Sequence, residues 1–477
     1  MFRPVTRRGF VAGTLTAGAA ATLADFAFLQ SLPRVDAADA KKAGHLVPLN
    51  ADIEPLVRLI EDTERNKLLE AVGDRIWGGT SYQQLLGALF LAGVRGIQPR
   101  PVGFKFHAVL AVNSVHLASL AATDNDRWLP LFWGLDNFKS SQAANKQQGD
   151  WHMGPVNEGK VAPSHQAKRR FVEAMDDWNE EAADVAVASL VRSAGANEVI
   201  ELFWGYGARD FRSIGHKAIF VANAWRTLQA IGWRHAEPIM RSVAYALLAH
   251  EGDNPAKRDD AADVPFRDNL KRAGRIRADW QHGTISSAAT TEVLSNQRGA
   301  TPAEACTQVV ELLNKKIDPA SVWDGLFLTA GELLMRQPGI VGLHCVTTVN
   351  ALHYAYETSS NDETRRLMLL QAAAFLPLFH KAMLGRGKLS DLRVDKLEKG
   401  EFAKDGTKED AVKEIFREVS RDRLSAARKT LGALDVSGLT ADMLMKEARR
   451  LVFAKGNDAH DYKFSSAALE DYYHVTP

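Results

Sequence analysis

Apolar residues recur every three or four positions along most of the chain, and no stretch alternates apolar with polar residues long enough to make a useful strand. The pattern predicts an all-α fold, a multi-helical globular domain built from two or three degenerate three-helix repeats. The first triplet of helices is expected at 82–97, 104–122 and 127–138, broken by Pro99, Pro101 and Gly103 and by the polar turn at 123–126. The same order returns at 322–336, 341–358 and 363–384, with a break at Pro338 and Gly339 and a polar turn at 359–362. A looser triplet falls at 198–206, 214–231 and 238–250, interrupted by Gly205, Gly207 and Gly232. The repeats therefore span about 81–139, 196–250 and 320–384.

The central helix of each triplet carries polar residues on an otherwise apolar run. An offset of 237 residues lays His107, Asn113 and His116 on His344, Asn350 and His353, and Leu89-Phe90-Leu91 on Leu326-Phe327-Leu328. The middle triplet has His216 seven rather than six residues before Asn223, and Arg226 in place of the second His. Internal duplication explains these matches; the bland alternative is that short helical units with similar apolar patterns resemble one another. At about 100° per residue, Asn350 and His353 share a helix face, as do Asn113 with His116 and Asn223 with Arg226. His344 and His353 point to nearly opposite sides, so the two His of one helix cannot chelate one ion together.

Outside the triplets, 140–163 reads as a long loop and 302–316 as a helix with Thr301 as cap. The main helical domain is expected to run 41–384, and 385–477 to form a charged C-terminal helical extension packed on it. Within that extension Asp458, His460, Asp461 and Lys463 make a dense polar set. It reads either as the cap of a last helix or as an acid–base group folded over a cavity.

Composition narrows the functional classes. With 477 residues and 46% hydrophobic content, the chain can bury a full-sized core. Thr6-Arg7-Arg8-Gly9-Phe10 followed by an uncharged run reads as a twin-arginine signal peptide over 1–40, the rival being an anchor helix. Export by that route implies the translocation machinery as a partner, a periplasmic or otherwise exported destination, and often a cofactor acquired before export. Removing 1–40 takes away Arg3, Arg7, Arg8 and Arg34 with Asp25, Asp36 and Asp39, so 59 basic and 58 acidic residues become 55 of each. A neutral mature chain argues against a nucleic-acid partner, and no integral membrane segment is expected after cleavage. Cys306 and Cys345 allow at most one disulfide and no four-thiolate metal site. The signatures of covalent haem, of a dinucleotide-binding Rossmann turn and of zinc proteases are missing.

Candidate chemistry thus rests on the repeated polar positions. If the three central helices share an axis, Asn113, His116, Asn223, Arg226, Asn350 and His353 converge on one cavity, with His107, His216, His344 and His460 at its edge. His116 and His353 are then the candidate ligands of a transition metal, Asn orients a carbonyl or hydroxyl, and Arg226 holds an anionic group. Alternatively, the same residues are satisfied buried polar groups that fix helix register. The segments IGHKAIFVANA and GLHCVTTVNALHYA, each followed by a polar turn and an apolar helix, resemble the His-bearing helices of the questin oxidase-like family. That resemblance implies oxygenation of polycyclic aromatic substrates and carries over no catalytic set. The expectation is an exported oxidoreductase-like enzyme acting on a small organic substrate in a His/Asn-lined interhelical pocket; the alternative is a non-catalytic periplasmic scaffold or ligand-binding protein.

Overall fold

A computed structural model describes residues 46–402, 406–456 and 458–476; the signal peptide expected over 1–40 lies outside the described residues. Within them the chain forms 21 α-helices joined by turns and by longer loops, with one isolated bridge between Thr284 and Ile317 and no strand. The all-α class follows from the apolar periodicity, and helices stand near each position it marked, although the one expected at 127–138 runs on through Gln147 into the stretch 140–163 read as a loop. They are α1 (Tyr82–Gly96), α2 and α3 (His107–Leu110 and Val112–Ala121), and α4 (Leu129–Gln147). Next come α5 (Ala196–Gly207), α6 (His216–Ile231) and α7 (Ala236–Leu247), and then α8 (Pro319–Arg336), α9 (Ile340–Thr358) and α10 (Asp362–Leu384). The last helix, α11, is Ala459–Asp471.

Local chemistry sets these boundaries. Ser81 and Gln84 close a reciprocal capping box on α1, Asp318 caps α8 ahead of Pro319 at the first helical position, and Asn361 accepts from the amides of Glu363 and Thr364 to start α10. At α11 Asp458 accepts from the His460 amide while Asp461 reaches back to the Asp458 amide. Helix α10 is long and apolar enough to cross a membrane, yet most of it is buried against its neighbours, with Met368, Leu369, Ala372 and Phe379 inaccessible to solvent. It serves as a core helix and packs on α9. Both Cys306 and Cys345 are buried free thiols.

Four elements enclose a common axis. The run α2–α3 packs on α6, α6 on α9, α9 on α11, and α11 back on α3. Three of them are the central helices of the triplets. The fourth belongs to the charged 385–477 segment, so the chain's end is part of the molecule's centre. Helices α9 and α11 run in the same direction, since His344 neighbours His460 near their starts and His353 neighbours His474 near their ends.

Candidate metal centre

The residues that begin these four helices meet in one place. His107 opens α2 and His216 opens α6, while His344 stands in the first turns of α9 and His460 in the first turn of α11. Ring centroids of His107 and His460 are 4.4 Å apart, those of His216 and His344 4.2 Å, and those of His344 and His460 5.1 Å. The donor nitrogens of His107, His344 and His460 all lie within 4.8 Å of one another. His216 joins through its Nε2, 3.1 Å from His107 Nε2.

Each ring is held by its other nitrogen. His107 Nδ1 lies 2.9 Å from Phe104 O, His216 Nδ1 2.6 Å from Ser213 O, and His344 Nδ1 2.7 Å from Ile340 O. Carbonyl oxygens only accept, so all three Nδ1 atoms carry the proton and all three Nε2 atoms present a lone pair. His460 Nδ1 donates in the same way to Asp458 Oδ1 at 2.5 Å. This is the arrangement that supports metal-binding imidazoles, in which the second nitrogen of each ring is tied to a carbonyl or carboxylate.

The turns that supply two of these carbonyls are strained. Phe104 has φ 48°, and Ser213 and Ile214 have φ 58° and 45°, a region that non-glycine residues enter at a cost of about 1–3 kcal/mol each. In both cases the acceptor carbonyl sits three residues before the His. Glycine completes each turn. A Cβ on Gly103 (φ 123°) would stand 3.1 Å from His216 Nε2, and one on Gly215 (φ 80°) would stand 2.0 Å from Thr348 Oγ1. The backbone bends tightly here to bring two helix starts against a third.

The electrostatics match neutral rings. Burial pushes the His107 imidazole down to about 2 and those of His216 and His344 strongly down, and the Lys463 charge and neighbouring rings add to each. Two Nε2 lone pairs facing each other at 3.1 Å repel unless a cation lies between them, and these rings resist taking up a proton. Two nitrogens on one ion at about 2.0–2.1 Å and a tetrahedral angle would stand about 3.3 Å apart, close to what is observed. His344 Nε2, His460 Nε2 and Lys463 Nζ are buried with no hydrogen-bond partner. Their clustering marks the site, since buried polar atoms are as a rule paired.

Below the rings lies the layer built by the repeated Asn positions. Asn113, Asn223, Arg226 and Asn350 line one small cavity together with Lys463 and Glu470, with room for about one water molecule. Asn350 Nδ2 donates to Glu470 Oε2 at 2.8 Å and to Asp471 Oδ1 at 2.7 Å, and Arg226 Nη2 bonds Glu470 Oε2 at 2.5 Å. Asn223 Nδ2 donates to Leu110 O at 2.9 Å, so most of this layer is bound to itself. Burial raises the Asp471 carboxyl to about 8, partly offset by the Asn350 hydrogen bond.

The remaining sequence candidates stand apart. His116 Nδ1 is 3.1 Å from the Tyr82 hydroxyl, and the ring lies beside Tyr82. His353 packs edge-on against Trp323 and Phe327 and beside His474. The two occupy separate aromatic surroundings, and the rings that gather as a donor set are His107, His344 and His460, with His216 beside His107 and His344. Sequence alone marks Lys463 only as a member of the polar set at 458–463. Its signal is the i, i+3 spacing from His460, which puts both on one face of α11. No family model, no curated protein and no solved structure matches the chain.

Proposed function

We propose that the protein is an exported, metal-dependent enzyme of the oxidoreductase type, acting on a small organic substrate at a transition-metal ion held by His107, His344 and His460, with His216 beside them as a further imidazole. The observation that carries this reading is the tautomer lock: every Nδ1 is tied, and every Nε2 is left as an inward-facing lone pair. A neutral all-imidazole set suits copper, iron and zinc, and the softer redox ions among them supply electron transfer or oxygen chemistry when bound. Asp458 orients His460 and raises its basicity. His216 and His344 are buried while His107 and His460 keep partial exposure, so a substrate would approach along the His107–His460 edge. The resemblance to the questin oxidase-like family supports oxidation as the class of chemistry, and the twin-arginine leader supports export of a chain folded around its cofactor.

Elemental analysis and an absorption spectrum of protein purified from its native compartment test the reading. About one transition-metal ion per chain is expected, falling to background in a His107→Ala, His344→Ala double variant that still folds. Full metal content in that variant would rule the centre out. A second reading, a non-catalytic scaffold or ligand-binding protein, is favoured by the Asn layer. There Asn350, Arg226, Glu470 and Asp471 satisfy one another across α6, α9 and α11, as register-fixing groups would. It predicts a colourless, metal-free preparation.

A further inference from the structure

One face of α11 borders a trough that the metal centre does not use. Asp461, Phe464, Ser465 and Ala468 line it at the i, i+3, i+4, i+7 spacing of a single helix face, a different face from that of Lys463. The helix Ala441–Lys455 packs both on α11 and on the helix Lys408–Glu418, and the three surround a space of about 640 Å³. Its walls are largely apolar: Phe416, Leu451, Phe464 and Leu469 are half-buried, and Val419 is 46% exposed. Amphipathic helices bury such stripes against a neighbour, and here the three leave them facing a common hollow. A concavity of this size lies in the range that takes a small organic molecule.

The rim of the trough favours one sign of charge. Lys413, Arg417 and Lys455 line it together with two carboxylates, Glu447 and Asp461. Both carboxylates already have donors: Arg450 holds Glu447 through two nitrogens at 2.9 and 2.5 Å, and Asp461 accepts from the Asp458 amide at 3.2 Å. Arg417 and Lys455 enter no ion pair among the described residues, and Lys413 stands 3.9 Å from Asp410. Apolar walls under such a rim match a molecule with a hydrocarbon body and an anionic head. A helix that lies on a membrane projects its apolar face outward. These side chains line a hollow instead, which suits one chain rather than a bilayer.

We infer that the trough binds a single long-chain carboxylate, its head held by Arg417 and Lys455 and its acyl chain laid against Phe416, Leu451, Phe464 and Leu469. The site is separate from the His cluster and stands or falls without it.

Displacement of the fluorescent fatty acid cis-parinarate from the purified protein tests this. Palmitate is expected to displace it, and hexadecanol, which keeps the chain and lacks the charge, to do so about 3- to 10-fold more weakly, the scale of exposed ion pairs. Replacing both cations, Arg417→Gln with Lys455→Gln, should bring palmitate down to the level of hexadecanol. Ala468→Trp puts an indole into the trough and should abolish cis-parinarate binding. Failure of palmitate to displace, unchanged binding in Ala468→Trp, or hexadecanol as potent as palmitate overturns the proposal. Sedimentation with phosphatidylglycerol vesicles without palmitate binding would make this face a membrane contact, and overturns it as well. Should Ala468→Trp not fold, the palmitate–hexadecanol comparison and the double glutamine variant, at two exposed positions, decide.

Discussion

Gly215 shows how a single residue controls the site. It ends a turn of three residues with positive φ, and the atoms a side chain would occupy belong to Thr348. Gly215→Ala is expected to destabilise the fold by about 2–4 kcal/mol, from left-handed strain and overpacking together. Thr348→Ala in the same chain should recover part of that loss, because it removes the two nearest contacts but not the strain; denaturant unfolding of the three variants reads this coupling. Strict additivity would mean that Thr348 is not what the glycine avoids. Asp471 makes a different prediction at the same scale. Its carboxyl is raised to about 8 from an ordinary value of 3.8, so the folded state holds a proton that the unfolded state releases. The stability this contributes is complete below about pH 4 and is lost as pH rises through about 8. Melting temperatures of the wild type should therefore fall relative to Asp471→Asn between about pH 4 and 8, and a constant difference would contradict a protonated Asp471.

Among the helices, α11 separates what sequence can tell from what it cannot. The triplets were legible because their signals are local: Ser81, Asp318 and Asn361 at helix starts, Pro and Gly between them, and apolar stripes along them. The opposing faces of His344 and His353 were legible too, since they follow from 100° per residue alone. Which helices surround which was not, and so His107, His216 and His344 read as the edge of a site centred on Asn. Helix α11 was harder still. Its segment is rich in charge, which reads as a solvated face, whereas the half-burial of His460 and the burial of Lys463 depend on α3 and α9 lying beside it. The Asp458 cap can be tested for its two roles. Asp458→Ala should cost about 1 kcal/mol from the lost cap and weaken metal binding about 10- to 100-fold from the lost His460 partner. Asp458→Asn, also a good cap, should restore stability while leaving metal affinity impaired. Equal metal binding in all three proteins would show that Asp458 serves the helix alone.

For the molecule as a whole, the arrangement joins distant parts of the chain at one point, from His107 to His460. Apolar packing of α3, α6, α9 and α11 brings the helix starts together, strained turns aim two of the rings, and main-chain carbonyls fix their tautomers. Metal binding to such a site adds to folding stability, so a chelator should lower the melting temperature of the purified protein and the restored ion should raise it again. An unchanged melting temperature on full metal removal would separate the site from the fold. The convergence of four locked imidazoles is the claim on which the functional account stands. X-ray absorption at the edge of the bound metal tests it most directly. The account predicts a first shell of about three to four nitrogens near 2.0–2.1 Å with the outer-shell pattern of imidazole rings. A shell dominated by oxygen or sulfur, or one unchanged in the His107→Ala, His344→Ala variant, would contradict it.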